Sequence, residues 1–248
     1  MILLFDIGNT HTHAGLADGR RVVKQTDIPT FAWTAGGGPG RVKNFLGNVK
    51  IEGAALCSVV PRVTPLVKKF VQAAWKLDAL ELNAATIRGV GIDYPKPNSI
   101  GPDRLANAVA ARRRFGAPVV VVDFGTAVTF DVVDARGNYV GGIIAPGLAV
   151  MTNYLHEKTA LLPKIQIREV RTAIGKSTEE AMLVGAVHGY RGLVRELIAE
   201  LKRELGAPNL PVVATGGYAK LIAARLPEIT AVAPDLTLEG LRLVWNAK

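Results

Sequence analysis

Two carboxylates stand where apolar strands run out. Asp123 follows the valines at 119–122 and precedes Phe124, Gly125, Thr126 and Ala127; Asp6 follows Ile2, Leu3, Leu4 and Phe5 and precedes Ile7, Gly8, Asn9 and Thr10. A carboxylate at the end of a buried strand is too costly to leave without a cation or donors. Glycine just beyond it lets a ligand approach bare backbone, and a threonine hydroxyl and N–H suit an anion. Two such units point to two halves facing one phosphate chain, with cations relieving the repulsion between Asp6 and Asp123.

Two other stretches could carry chemistry. Gly101-Pro102-Asp103-Arg104 opens an alanine-rich helix over 105–114 that Gly116 ends. Proline and aspartate in a first turn are explained by ordinary capping, but Arg104 beside Asp103 adds an anchor for a carboxylate or phosphate. Thr215-Gly216-Gly217 turns a strand at 212–214 into a helix beginning near Tyr218. Such a turn can admit a flat ring or a phosphate, or it can simply redirect the chain.

The elements that must position these residues follow from hydrophobic period and punctuation. The first strand leads into an antiparallel meander with a turn at 17–20 and a further strand from Val22. Residues 36–40, four glycines and a proline, read as a flexible linker with no helix after it. A strand at 54–60 stops at Pro61, and Leu66, Val67, Phe70, Val71 and Trp75 have helical spacing. Prolines at 95 and 97 make a loop around Tyr94. The second meander runs from 119 to 144, then a helix over about 148–156. Ser177-Thr178-Glu179-Glu180 fits a capping box for a helix reaching about Leu205, on which Ala181, Gly185 and Gly189 form a small-residue stripe suited to close packing, within or between subunits. A short helix closes the chain. The expected halves are residues 1–115 and 116–248.

Composition narrows the class. With 49% hydrophobic and 21% charged residues in 248, the chain can bury a full core, which sets aside disorder and coiled coil. One cysteine, Cys57, excludes an internal disulfide and fits a reducing compartment, where it serves as a small buried apolar residue. The first apolar run breaks at Asp6, so it is no secretory signal, and no stretch approaches a membrane span. A cytoplasmic protein with no membrane partner is expected. The net charge of +9 is scattered, and its tightest run, Arg112-Arg113-Arg114, ends a helix, where cations complement the dipole. With few aromatics among the cations, nucleic acid is not the expected partner.

Together these residues resemble the type III pantothenate kinases, in the superfamily of actin, sugar kinases and heat-shock chaperones. The resemblance spans nearly the whole chain. Asp6-Ile7-Gly8-Asn9-Thr10 is similar to the family's first phosphate motif, Asp123-Phe124-Gly125-Thr126-Ala127 to its second, and Thr215-Gly216-Gly217 to its adenosine motif. Gly101 to Arg104, Ile174-Gly175 with Thr178, and residues 236–241 complete the set. The resemblance implies an α/β fold of two ribonuclease-H-like halves with mixed sheets and a nucleotide cleft between them. It implies phosphorylation of pantothenate by ATP with Mg2+, a monovalent cation (K+ or NH4+), and a homodimer with the pantothenate pocket near the subunit interface. By motif, Asp6, Ile7, Gly8, Asn9, Thr10, His11, Thr12 and His13 line the ATP phosphates with Thr126 opposite, and Gly216 and Gly217 meet the adenosine. Asp123 holds the monovalent cation and Asp6 holds magnesium, directly or through water. Tyr94, Gly101, Pro102, Asp103, Arg104 and Thr178 line the pantothenate site, with Asp103 as the base. Cys57 stands where relatives often carry serine, a change expected to leave the chemistry alone. The phosphate motifs leave open another small-alcohol kinase or a phosphohydrolase of the same superfamily, and the positive charge leaves open a nucleic-acid-binding regulator.

Overall fold

The computed structural model describes residues 1–248. In chain order the elements are β1 (Ile2–Ile7), β2 (His11–Ala17), β3 (Val22–Pro29), α1 (Phe31–Thr34), α2 (Gly38–Leu46), β4 (Gly53–Ser58), α3 (Thr64–Trp75), β5 (Leu80–Glu81), β6 (Gly91–Ile92) and α4 (Pro102–Phe115). They continue with β7 (Val119–Phe124), β8 (Ala127–Val133), β9 (Asn138–Pro146), α5 (Leu148–Lys158), α6 (Thr178–Val184), a π-helical turn (Gly185–Gly189), α7 (Tyr190–Glu204), β10 (Val212–Thr215), α8 (Ala219–Ala223), β11 (Ala231–Val232) and α9 (Leu236–Asn246). Two compact units emerge: Met1–Ala117 with Ala135–Gly141 and Asp235–Lys248, and Pro118–Asp134 with Gly142–Pro234.

The first unit is built on the sheet β3-β2-β1-β4-β5, antiparallel through the β1-β2-β3 meander and parallel from β1 through β4 to β5. Strand alternation sends Leu3, Phe5, Ile7, Ala54 and Leu56 into one core with Trp33, Val42, Phe45, Phe70 and Val71. The opposite face, which carries Leu4 and Asp6, is covered by α4 and α9. There Gly15 lies under Leu238 and Gly53 under the Trp245 ring, while Gly240 of α9 packs on the Ala106 backbone of α4.

Residues 36–40 differ from the linker expected of them, because α2 begins at Gly38. Pro39 suits a first helical turn, and Val42, Phe45 and Leu46, at helical spacing, are buried. That burial outweighs a propensity cost of ~1 kcal/mol per glycine. A side chain at 38 would collide with the Trp33 ring, so the glycine also permits close packing of α1 and α2.

In the second sheet, ordered β11-β10-β7-β8-β9-β6, β7 is central. It pairs in parallel with β10 and antiparallel with β8. Val119 to Val122 are wholly buried, as an uninterrupted β-branched run demands. The cap at α6 forms as half of the expected box: Ser177 Oγ accepts from the Glu180 N–H at 3.2 Å, but the Glu180 carboxylate reaches one residue further back and accepts from the Lys176 N–H at 2.7 Å.

Candidate functional site

Sheet register assembles the first unit's site. Asp6 faces His13 across β1-β2 and Cys57 across β1-β4, and His13 in turn faces Asp27 across β2-β3. Partners in register project to one side of a sheet, so Asp27, His13, Asp6 and Cys57 form a row across four strands. His13 Nδ1 lies 2.6 Å from Asp27 Oδ1. At the inner end, Cys57 Sγ donates to Asp6 Oδ1 at 3.4 Å. The buried thiol is pushed well above its usual range, first by burial and then by the charges of Asp6 and Asp103. Both carboxylates therefore bear on one sulfur.

Asp103 reaches this place from the first turn of α4. Its Oδ1 accepts from the Arg104 N–H at 2.9 Å, and a Cβ on Gly101 would come within 2.5 Å of the same oxygen. Glycine at 101 is thus the condition for that carboxylate position, and Pro102 sets the first helical turn. Burial raises the Asp103 carboxyl above its ordinary value, against the lowering effect of the Arg104 N–H and guanidinium. The Arg104 guanidinium lies 5.8 Å from the centre of the Tyr139 ring, and Tyr94 meets Tyr139 edge-on at 6.2 Å. A carboxylate, a cation and the exposed Tyr94 phenol, backed by the buried Tyr139 ring, suit a small polar substrate with a hydroxyl to deprotonate and an anionic group to hold.

The loop after β1 is closed by its own backbone, the Gly8 N–H donating to His11 O at 3.0 Å. Thr30, at the end of β3, braces it: its N–H donates to Thr10 O at 3.0 Å and its hydroxyl to Gly8 O at 2.7 Å, and Thr12 Oγ1 lies 3.1 Å from Thr30 Oγ1. Asn9, Thr10, His11 and His13 are exposed, whereas the side chains of Ile7 and Thr12 are buried and leave only backbone for a ligand.

In the second unit, Asp123 ends β7 and the loop 125–127 leads to β8. Gly216 has φ +88°, and a Cβ there would lie 2.5 Å from Asp123 Oδ1 and 2.7 Å from the Phe124 backbone. On the other flank the Gly147 N–H donates to Thr126 O at 3.1 Å, and no Cβ would fit against the Gly125 and Thr126 carbonyls. Asp123 and Gly216 are thus brought together, while Thr126 is held from the other flank by Gly147. Gly217 lies in the open part of the same turn, and Thr178 is exposed in the first turn of α6.

Thr30, Cys57 and Gly147 escaped sequence reading as neighbours of these loops. Gly147 had a signal, a glycine between a strand and a helix; Thr30 had none, and Cys57 looked like core because it is core.

A family model described as type III pantothenate kinase matches residues 2–200. A type III pantothenate kinase of Akkermansia muciniphila is 47% identical over 241 residues, 97% of this chain and 96% of that one. Among solved structures, a conserved putative Baf family transcriptional activator from Campylobacter jejuni matches with a TM-score of 0.63 at 20% identity, over 99% of this chain and 98% of that one. A putative N-acetylglucosamine kinase from Porphyromonas gingivalis matches with a TM-score of 0.50 at 13% identity, over 100% and 99%. These two likenesses concern the fold alone, an α/β architecture with two mixed sheets. With a model covering most of the chain and a relative this similar end to end, the chain belongs to the type III pantothenate kinase family.

Proposed function

We propose that this protein transfers the γ-phosphoryl group of ATP to the primary hydroxyl of pantothenate, giving 4'-phosphopantothenate, the first step of coenzyme A biosynthesis. Beside family membership, the observation that supports this reading is that the buried Cys57 thiol, bonded to Asp6 at 3.4 Å, also feels the charge of Asp103. The phosphate-motif carboxylate and the candidate base thus share one electrostatic neighbourhood.

In this reading the Asp103 carboxylate orients the hydroxyl. As the hydroxyl oxygen bonds to the γ-phosphorus and the bond to the β,γ-bridging oxygen of ADP breaks, the proton passes to Asp103. Even raised by burial, an aspartate is a weak base for an alcohol, so the transfer comes late, when the oxygen is already losing charge to phosphorus. Arg104 holds the substrate carboxylate, with Tyr94, Gly101, Pro102 and Thr178 lining the rest. Residues 6–13 and Thr126 hold the phosphates, and Gly216 and Gly217 hold the adenosine. Magnesium would be held at Asp6, directly or through water, since it keeps several waters and needs only one or two carboxylates beside the phosphates. A potassium or ammonium ion fits Asp123, whose oxygen lies beside the bare turn at Gly216. These cations supply charge neutralisation of the phosphates and of the two carboxylates.

A homodimer belongs to the same reading. Ile144, Val150, Met151, Tyr154, Leu155, Leu161 and Ile174 are exposed in one stretch of the second unit, with Leu161 at 90% and Ile174 at 75%. Gly185 and Gly189 have open space where a Cβ would stand, as a helix awaiting a close neighbour would. A cytoplasmic site fits the single cysteine, and no helix is long and apolar enough to cross a membrane.

The test is mass spectrometry of products from pantothenate, MgATP and potassium, beside Asp103→Asn and a sodium-only control. Wild type is expected to give phosphopantothenate, with strong dependence on potassium, and Asp103→Asn to lose ~100- to 10,000-fold in rate. Because burial disfavours the charged carboxyl in the fold, its penalty is present at neutral pH and disappears as pH falls below the unfolded value of about 3.9. Asp103→Asn should therefore match or exceed wild type in Tm at pH 7, so lost activity would not be lost folding. Wild-type kcat/KM should fall with decreasing pH through a value above that of an ordinary aspartate. ADP without phosphopantothenate would mean a hydrolase or another acceptor.

A further inference from the structure

We propose that Tyr190 is a positioning residue for the 125–127 loop, acting through the segment 146–148 that buttresses it. The inference rests on the reading that Thr126 meets the ATP phosphates.

Residues 178–204 form one continuous helical stretch interrupted by the π-helical turn at 185–189. A π turn inserts an extra residue and rotates everything after it, a device frequent at functional sites. Here the next two residues, Tyr190 and Arg191, are buried in spite of their polar ends. Arg191 grips Glu169 with two hydrogen bonds of 3.0 and 2.7 Å and donates to the Leu221 and Ile222 carbonyls of α8. Tyr190 grips the loop's surroundings. Its hydroxyl donates to Pro146 O at 3.2 Å, and the start of α5 at Leu148 lies close enough to weigh on its proton. Its ring packs at 6.3 Å from that of Phe124, the last residue of β7 before the loop.

One side chain therefore packs on the strand that enters the loop and bonds to the residue before Gly147, the glycine that supports the loop's carbonyls. Gly147 has no slack: its N–H is bonded to Thr126 O, and its Cα sits so close that no side chain fits. A shift of 146–148 must pass to Thr126. Burial holds the phenol proton up to about 12, so the donor to Pro146 persists across the working pH range.

The experiment compares steady-state kinetics of Tyr190→Phe, Thr126→Ala and Val194→Ala at a temperature where all are folded. Val194 is buried one turn further along α7 and touches neither loop nor buttress by any hydrogen bond, so it reports generic loosening of the helix. Tyr190→Phe keeps the ring and deletes the hydroxyl; the ATP KM should rise about fivefold, the size of one lost hydrogen bond, with the pantothenate KM within about twofold. Val194→Ala should lower Tm and leave the ATP KM unchanged. An unchanged ATP KM in Tyr190→Phe, or an equal rise in Val194→Ala, while Thr126→Ala does raise it, overturns the positioning role alone. An unchanged ATP KM in Thr126→Ala overturns the phosphate-site reading and the inference with it.

Discussion

The loop between β1 and β2 and the loop between β7 and β8 both follow a buried strand ending in Asp-x-Gly, but they are held in different ways. Ile7 pairs with Thr12, leaving Gly8, Asn9, Thr10 and His11 between; Phe124 pairs with Val128, leaving only Gly125, Thr126 and Ala127. The longer loop closes on itself through Gly8 and His11 and is braced by Thr30 from the same meander. The shorter one is wedged between Gly147, which follows β9, and Gly216, which follows β10. A motif read from sequence reports what faces a ligand, whereas its stiffness can reside in residues far along the chain.

The most damaging way to probe the contrast is Gly216→Ala. It places a side chain at φ +88° and drives a Cβ against Asp123 and the Phe124 backbone. We expect a loss of ~100-fold or more in kcat/KM, the penalty of displacing a reacting group by about 1 Å. Gly8→Ala, whose Cβ would meet only His11 O at 3.0 Å, should lose less, and a reversed order would break the comparison.

Thr30→Val keeps the shape of a buried residue and removes the brace on Gly8 O and Thr12. We expect about 1–2 kcal/mol of stability lost, a Tm drop of roughly 2–8 °C, with the ATP KM changed by no more than about threefold because the loop's own closure survives. Calorimetry with kinetics checks this. A large KM effect would show that the first loop also depends on its surroundings.

The smallest effect is expected at Glu169→Gln, which weakens the anchor beside Tyr190. Arg191, by hydrogen bonding, holds the Glu169 carboxyl below its ordinary value. The stabilisation is thus complete above the unfolded value of about 4.3 and is lost as pH falls through the lowered native one. The Tm difference between wild type and variant, ~1 kcal/mol or less in free energy because Glu169 is a third exposed, should be present at pH 7 and vanish in acid. A difference that persisted at low pH would mean that packing, not charge, anchors Arg191.

Much of this architecture was legible. The valine run of β7, the apolar run of β1 that ends at Asp6 and the Ser177 cap are local patterns, and the structure has each of them. The helix at Gly38 was illegible because glycine and proline announce a loop, while the burial of Val42, Phe45 and Leu46 that overrides them depends on a core no local window contains. Thr30 and Tyr190 were illegible for a related reason. Their hydroxyls matter through carbonyls elsewhere in the chain, Gly8 and Pro146, and a hydrogen bond across such a separation leaves no spacing to read.

By itself the sequence determined the two sheets' leading strands and the family, because strand period and glycine punctuation act within a few residues. Tertiary structure alone decided that Asp27, His13, Asp6 and Cys57 share a row and that Asp103 joins them, since register between strands and the docking of α4 are set by burial of whole faces. It also decided that α9, last in the chain, packs with the first unit, where its apolar side finds the open face of that sheet.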